Sequence, residues 1–201
     1  NVVFGQDKAI DALASAINAL EGSAGTIMVP SGLAAVTVSL LAFLSAGDHV
    51  LITDSVYTPT RNFADTMLKR LGVEVEYYDP LAGAGIAASM KPNTRVVFTE
   101  SPGSHTFEIQ DIPAIAKAAK AAGAVVMMDN TWATPLFFKP LEHGVGAGEN
   151  VVDDLNDRSV LLPLFPILDE PGILGETAAV DDKELAVAPR HFGDRPNVRQ
   201  T

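Results

Sequence analysis

The stretch Val125-Val126-Met127-Met128-Asp129-Asn130-Thr131-Trp132-Ala133-Thr134-Pro135 decides how this chain is built. Four apolar residues run straight into a carboxylate, Asp129, and a turn containing Thr131 and Trp132 follows. A short unbroken apolar run fits a strand buried on both faces. The C-terminal end of such a strand is where open α/β sheets bind their ligands. A carboxylate placed there needs a cationic partner, and the ring nitrogen of a cofactor can be one.

On either side of that strand, helix and strand patterns alternate from Lys8 to Val145. Ile10, Leu13, Ala14, Ile17 and Leu20 recur at helical spacing, with Gly22 as a stop. Thr26 to Val29 reads as a short strand, and Pro30-Ser31-Gly32 as a turn. Leu33 to Leu44, rich in Ala, Leu and Val, reads as a largely buried helix. His49 to Thr53 is a strand, and Tyr57 to Leu71 a helix closed by Gly72. Val73 to Tyr78 alternates apolar and polar, as a half-exposed strand near a sheet edge does. Gly83 to Met90 is a short helix, Arg95 to Thr99 a buried strand, and Ile112 to Ala122 a helix with Lys117 and Lys120 outward. This alternation predicts an α/β fold, a mostly parallel sheet covered by helices on both faces. The regularity stops at Val145. Residues 146–201 hold acidic pairs and scattered prolines, and Pro163 and Pro166 break the one apolar run, Val160 to Leu168. Two parts are therefore expected, residues 1–145 and an atypical, irregular tail of residues 146–201.

The composition excludes several partners. The 201 residues are 47% hydrophobic and 19% charged, which suits a folded chain able to bury a sizeable core. The formal charge is −11 and the pI near 4.6, so neither nucleic acid nor an anionic membrane surface is an expected partner. Cysteine is absent, which removes disulfides and thiolate metal sites. No charged-then-apolar leader precedes the first helix and no apolar run reaches about 18 residues, so a cytoplasmic location is expected.

Three motifs have a plain reading and a sharper one. Gly83-Ala84-Gly85-Ile86-Ala87-Ala88 matches a dinucleotide fingerprint, with Glu100 after the next strand. However, Asp79-Pro80-Leu81-Ala82 separates the strand from the first glycine, so the tight strand-to-helix turn is not made. It reads as a flexible loop before a short helix. Ser31-Gly32-Leu33 lies between a strand and a helix; it is either a plain Ser31 N-cap or a place where helix N–H groups meet a phosphate. Tyr57 follows a strand at the ligand end of the sheet and either packs on its loop or stacks on a flat ligand. His49, His105, His143 and His191 lack metal-ligand spacing and read as surface or loop histidines, with His105 alone near the presumed site. No metal is expected.

Taken together, the segments resemble the Cys/Met-metabolism family of pyridoxal-phosphate enzymes, in its cystathionine β-lyase branch. The resemblance runs from about Ala12 to Val145. It is carried by Glu21-Gly22-Ser23-Ala24-Gly25, Val29-Pro30-Ser31-Gly32-Leu33-Ala34-Ala35-Val36, Ala46-Gly47-Asp48-His49-Val50, Tyr77-Tyr78-Asp79-Pro80-Leu81 and Asp129-Asn130-Thr131-Trp132. Phe98-Thr99-Glu100-Ser101-Pro102-Gly103-Ser104 completes the set, and its Glu-Ser-Pro-Gly-Ser form points to the β-lyase branch. The resemblance implies the three-layer large domain of the aminotransferase-like fold (fold type I), incomplete at its C-terminal end. It implies pyridoxal 5'-phosphate as cofactor, with Asp129 paired to the pyridine nitrogen, Tyr57 stacked on the ring, and Ser31, Gly32, Leu33 and Thr131 in the same site. It also implies a homo-oligomer, dimer or tetramer, whose reaction is β-elimination of L-cystathionine to homocysteine, pyruvate and ammonia in methionine biosynthesis.

The chain departs from that pattern in three places. The family's cofactor-bearing lysine follows a threonine, and the pair falls on Asp153 and Asp154. A carboxylate cannot take over an amine's covalent chemistry. A Tyr-x-Arg pair that reaches across the subunit interface to the phosphate falls on Phe4 and Gln6, so both charge-assisted bonds are lost. The family's C-terminal domain, with its arginine for the substrate carboxylate, has no counterpart. The first strand also loses its usual neighbours, and some of residues 146–168 must partner it. The abrupt change after Val145 is what a reading-frame change, an altered splice or a truncated gene leaves, and the coding DNA tests it. The expected function is therefore a β-lyase that is weak or inactive as this chain alone. The alternative is a non-catalytic fragment or degenerate paralogue that binds the cofactor weakly or joins a full-length subunit.

Overall fold

The computed structural model describes residues 2–146 and 160–161, with side chains from Lys8 to Gly146. Asp153, Asp154 and the remainder of the tail lie outside the described residues, as do the side chains of Phe4 and Gln6. The chain opens with α1 (Val2–Glu21), β1 (Gly25–Thr26) and α2 (Gly32–Phe43). Next come β2 (His49–Thr53), α3 (Thr58–Phe63) continuing into a π-helical stretch (Ala64–Leu68), and β3 (Glu74–Tyr78). A 3-10 helix (Gly83–Ser89), β4 (Thr94–Glu100), α4 (Ile112–Ala121) and β5 (Val125–Asp129) follow. The described elements end with α5 (Thr134–Phe137), a 3-10 turn (Pro140–His143) and β6 (Val160–Leu161).

β3, β2, β4 and β5 lie side by side in that order, and all three pairings are parallel. Alternate residues of the central strands face opposite layers, as a side-chain period of two requires. Val50, Ile52, Val96 and Phe98 pack with Val36 and Leu40 of α2 and with Ala64 and Leu68. Leu51, Val97 and Val126 pack on the other face with Ile86 and with Ile112, Ile115 and Ala119 of α4. Helices therefore cover both faces, the three-layer α/β architecture that the alternation predicts. Each fully buried leucine or isoleucine contributes roughly 1.5–3 kcal/mol to holding the layers together.

Local chemistry sets the element ends. Ser31 Oγ accepts the Ala34 N–H at 3.1 Å and starts α2; the Asp111 carboxylate accepts the Ala114 N–H at 3.1 Å and starts α4. Gly72, at φ +84°, supplies the left-handed residue that turns the chain from the helix into β3.

Four expectations are corrected. α1 begins well before Lys8, and its Ile10, Leu13 and Leu20 are exposed while Ile17 is buried. α2 buries only Ala35, Val36 and Leu40; Val38 and Leu41 are exposed, because a helix apolar on every side does not declare which side meets the sheet. His49 is a fully buried histidine at the start of β2, with Nδ1 2.7 Å from Thr94 Oγ1 and Nε2 3.5 Å from Glu76. Burial holds its pKa below the ordinary histidine range, and Lys91 nearby adds to this. Finally, β1 is confined to Gly25–Thr26 and does not join the main sheet. Its parallel partner is β6, from the stretch 146–168, but the pair is a separate two-stranded sheet, and among the described residues no strand fills the gap to the main sheet.

Candidate cofactor site

The order β3-β2-β4-β5 makes the chain leave β2 toward one side of the sheet and return on the other. The loops after β2 and β4 lead to opposite layers from that point, touching where the Ser104 N–H donates to the Ser55 carbonyl at 2.8 Å, and the carboxyl ends of the two strands mark the crevice position at which open α/β sheets bind ligands. The residues placed there are Tyr57, after β2, and Glu100, the last residue of β4. Asp129 ends β5 and is the register partner of Glu100. The Tyr57 N–H donates to Glu100 Oε2 at 2.8 Å. Two adjacent strands thus end in carboxylates, and the third strand's loop is hydrogen-bonded to one of them.

Both acids are buried, Glu100 to 3% and Asp129 to 7% exposure, whereas Tyr57 is 44% exposed. Asp129 Oδ1 accepts the Thr131 N–H at 3.0 Å and the Thr131 hydroxyl at 2.6 Å. Among the described residues no cation pairs with either acid. Burial therefore raises the Asp129 pKa, opposed by its two bonds from Thr131. Burial likewise pushes Glu100 up to about 7; its bond from Tyr57 opposes the rise and the neighbouring Asp129 adds to it. Pairs of carboxylates held off their ordinary range are a mark of functional sites.

Ser31 caps α2, so its plain reading is the observed one, and it leaves the Gly32 and Leu33 N–H groups at the helix start. α2 packs against β4 and α3, the elements that flank Tyr57 and Glu100. Gly83 and Gly85 lie in a 3-10 helix after the edge strand β3, without a tight strand-to-helix turn. His105 sits in the loop after β4.

Two site residues went unassigned in the sequence. Glu100 carries the same signal as Asp129, an apolar run (Val96 to Phe98) leading to an acid, and was readable. Gln110 was not, because a lone glutamine in a loop has no pattern. It is buried; its Nε2 donates to the Glu100 carbonyl at 2.7 Å and Thr53 Oγ1 at 3.2 Å, and its Oε1 accepts the Tyr78 hydroxyl at 2.7 Å. It joins the ends of β2, β3 and β4.

The raised Glu100 pKa has a consequence for stability. In the folded chain the group binds its proton more tightly than the unfolded value of 4.5 allows, so stability falls as pH rises from about 4.5 to about 7. The span corresponds to roughly 3 kcal/mol. Glu100→Gln keeps an acceptor for Tyr57 and cannot ionise. Urea denaturation across pH 4.5–8 is expected to show this decline in the wild type and a shallower one in the variant; parallel curves would contradict it.

The mostly parallel sheet covered on both faces is an α/β architecture, and the family match below makes it that of the fold type I pyridoxal-phosphate enzymes. Residues 6–148 match the family model described as Cys/Met metabolism PLP-dependent enzyme, and the chain belongs to that family. It is 70% identical over 135 residues to a Rhizobium johnstonii protein that bears a provisional cystathionine beta-lyase name, covering 67% of this chain and 34% of that protein. It is 47% identical over 135 residues to the cystathionine beta-lyase of Escherichia coli K12, covering 66% and 34%. Among solved structures, a Campylobacter jejuni protein provisionally called an O-acetylhomoserine (thiol)-lyase aligns with TM-score 0.64 and 33% identity, over 68% of this chain and 34% of that one. That crystal contains N'-pyridoxyl-lysine-5'-monophosphate. The chain thus spans about a third of the length of the curated relatives it matches. The family's cofactor is pyridoxal phosphate.

Asp129 suits the ring nitrogen of that cofactor. Asp129 is a buried carboxylate whose bonds from Thr131 both fall on Oδ1, and it has no cation among the described residues, which is what a protonated pyridine nitrogen requires. Asp154 lies outside the described residues. Among the described residues no helix is long and apolar enough to cross a membrane.

Proposed function

We propose that residues 1–145 form the cofactor-binding part of a pyridoxal-phosphate-dependent carbon–sulfur lyase that acts on L-cystathionine, and that this chain by itself turns the substrate over weakly or not at all. The single observation that carries the cofactor reading is the buried Asp129 at the end of β5, without a cation among the described residues and beside Glu100 and Tyr57. Support for the substrate comes from the names borne by its relatives and from the Glu100-Ser101-Pro102-Gly103-Ser104 segment. The reaction is β-elimination: cystathionine and water give homocysteine, pyruvate and ammonia.

When bound, the cofactor supplies an electron sink for the carbanion left by α-proton removal. The chain's own residues bind and orient. Asp129 holds the proton on the ring nitrogen, fixed in place by Thr131. Tyr57 covers one ring face, and Ser31, Gly32 and Leu33 present the start of α2 to the phosphate. Position 154 argues against turnover, since aspartate can neither carry the cofactor nor abstract a proton as an amine does. Residues 146–201 form an atypical tail in this reading. A homodimer or tetramer is the proposed assembly and the cytoplasm the proposed location.

The experiment is turnover of cystathionine by the purified chain with and without added pyridoxal 5'-phosphate, followed by the visible spectrum and by borohydride trapping. Binding without a borohydride-fixed lysine and without release of homocysteine is expected. Turnover at a typical enzyme rate, with one lysine trapped, overturns the inactive assignment. Failure to bind the cofactor at all overturns the site.

A further inference from the structure

We infer that Glu100 is a positioning residue: its buried carboxylate, beside Asp129 and accepting the Tyr57 backbone N–H, sets how firmly the aromatic residue is held at the crevice according to the charge at Asp129. Its use by a cofactor rests on the function proposed above; the coupling does not.

Tyr57 has few other anchors. It is 44% exposed. The ring contacts among the described residues are Phe107 with Trp132, Phe138 with His143 and Arg61 over Tyr77, none of them with Tyr57. The Tyr57 carbonyl accepts the Arg61 N–H at 3.1 Å, which ties it to its own helix. The bond from its N–H to Glu100 at 2.8 Å ties it to the sheet.

That bond changes strength with the charge on its acceptor, because an ionised carboxylate accepts about twice as strongly as a neutral group. Among the described residues the groups facing Glu100 are few. Asp129 faces it from β5, as its register partner and the charged group whose field reaches it. The β2–α3 loop presents the Tyr57 N–H, and the loop after β4 presents the neutral Gln110, which holds the Glu100 carbonyl. Two adjacent buried carboxylates without a cation repel, which favours a proton on one of them. Glu100 has the less favourable balance, since Asp129 accepts two bonds from Thr131. A cation seated on Asp129 removes the repulsion; Glu100 then ionises, and its bond to Tyr57 tightens. Occupation of the acid end of the site thereby firms its aromatic wall.

The test is the amide spectrum of the 15N-labelled full chain between pH 5 and 9, read at the Tyr57 N–H. The wild type is expected to show a step centred near 7, the value to which Glu100 is raised. Glu100→Gln retains an acceptor and is expected to abolish the step, and Asp129→Asn to move its midpoint to lower pH. Absence of the step in the wild type, its persistence in Glu100→Gln, or an unmoved midpoint in Asp129→Asn each overturns the inference. If the glutamine variant does not fold, the wild-type and Asp129→Asn titrations decide it alone. No cofactor is present in these measurements, so a chain that fails to bind pyridoxal phosphate would sink the proposed function and leave the expected shifts intact.

Discussion

Replacing Asp129 with asparagine is expected to stabilise the chain at neutral pH while weakening its hold on a pyridinium ligand ten- to a hundredfold. The two effects share one cause. Asp129 is a carboxylate 7% exposed with no cation among the described residues, and burial raises its pKa. A group whose folded-state pKa is raised loses stability as pH rises, so at neutral pH the ionised side chain is a liability of the ligand-free fold. Asparagine is almost the same shape and keeps an acceptor for both bonds from Thr131. What it lacks is the charge. A hydrogen bond to a charged group is worth about 1.5–3 kcal/mol, which is the expected loss of binding. Pyridoxine 5'-phosphate is the better probe, because it has the ring nitrogen and phosphate but no aldehyde, so position 154 does not enter. Urea denaturation at pH 7 measures the first effect and calorimetric titration the second. A variant that is less stable and binds as well as the wild type would remove Asp129 from the site. Such opposition between stability and binding is common where a site holds an unpaired group ready for its ligand.

How far the sequence could be read depended on whether a feature is local. β2 and β5 were bounded to the residue from their apolar runs, because a strand buried on both faces leaves an unbroken signal. The alternation of β3 was legible for the converse reason: an edge strand has one wetter face, and β3 lies at the edge. Sheet order was not legible. Nothing in residues 96–100 or 125–129 says that Glu100 and Asp129 are register partners; adjacency follows from how the crossovers pack. Gln110 escaped for the same reason, since its partners Thr53 and Tyr78 are 57 and 32 residues away. His49 was misjudged as a surface or loop residue because burial of a single polar residue depends on a partner, Thr94, that lies 45 residues on. The pairing of β1 with β6 combines a glycine and a threonine with a two-residue segment that Pro163 and Pro166 soon follow, where neither propensity nor pattern speaks. The family segments were legible because they are contiguous, and the matched stretch ends at residue 148, close to Val145, where the alternation of elements stops.

Gly103→Ala is expected to destabilise the chain by about 2–3 kcal/mol and to displace Tyr57, although the methyl group is added on the loop after β4 and Tyr57 lies on the loop after β2. A Cβ on Gly103 would stand 2.5 Å from Ser55 Oγ and 2.7 Å from Ser55 Cβ, with Glu108 Oε2 at 3.3 Å. Real carbon contacts do not approach so closely, and neither side is free to retreat. The Ser55 carbonyl accepts the Ser104 N–H at 2.8 Å, and its hydroxyl lies 3.1 Å from Thr53 Oγ1. The Gly103 N–H donates to the Glu108 carbonyl at 3.0 Å, and the Gly103 carbonyl accepts the Phe107 N–H at 3.1 Å. The strain must therefore part the two loops that leave β2 and β4. Those loops flank the crevice, and one carries Tyr57 to its bond with Glu100. Ser55→Gly removes both clashing atoms and, alone, forfeits one hydroxyl contact, for a cost of about 1 kcal/mol. If crowding between these two side chains is the cause, the double variant will be more stable than the sum of the single changes allows, by 1 kcal/mol or more, and the Tyr57 amide signal will return toward its wild-type position. Strict additivity would mean that the alanine acts elsewhere, on the backbone of the Gly103 turn itself, and that the two loops are not held together at this contact.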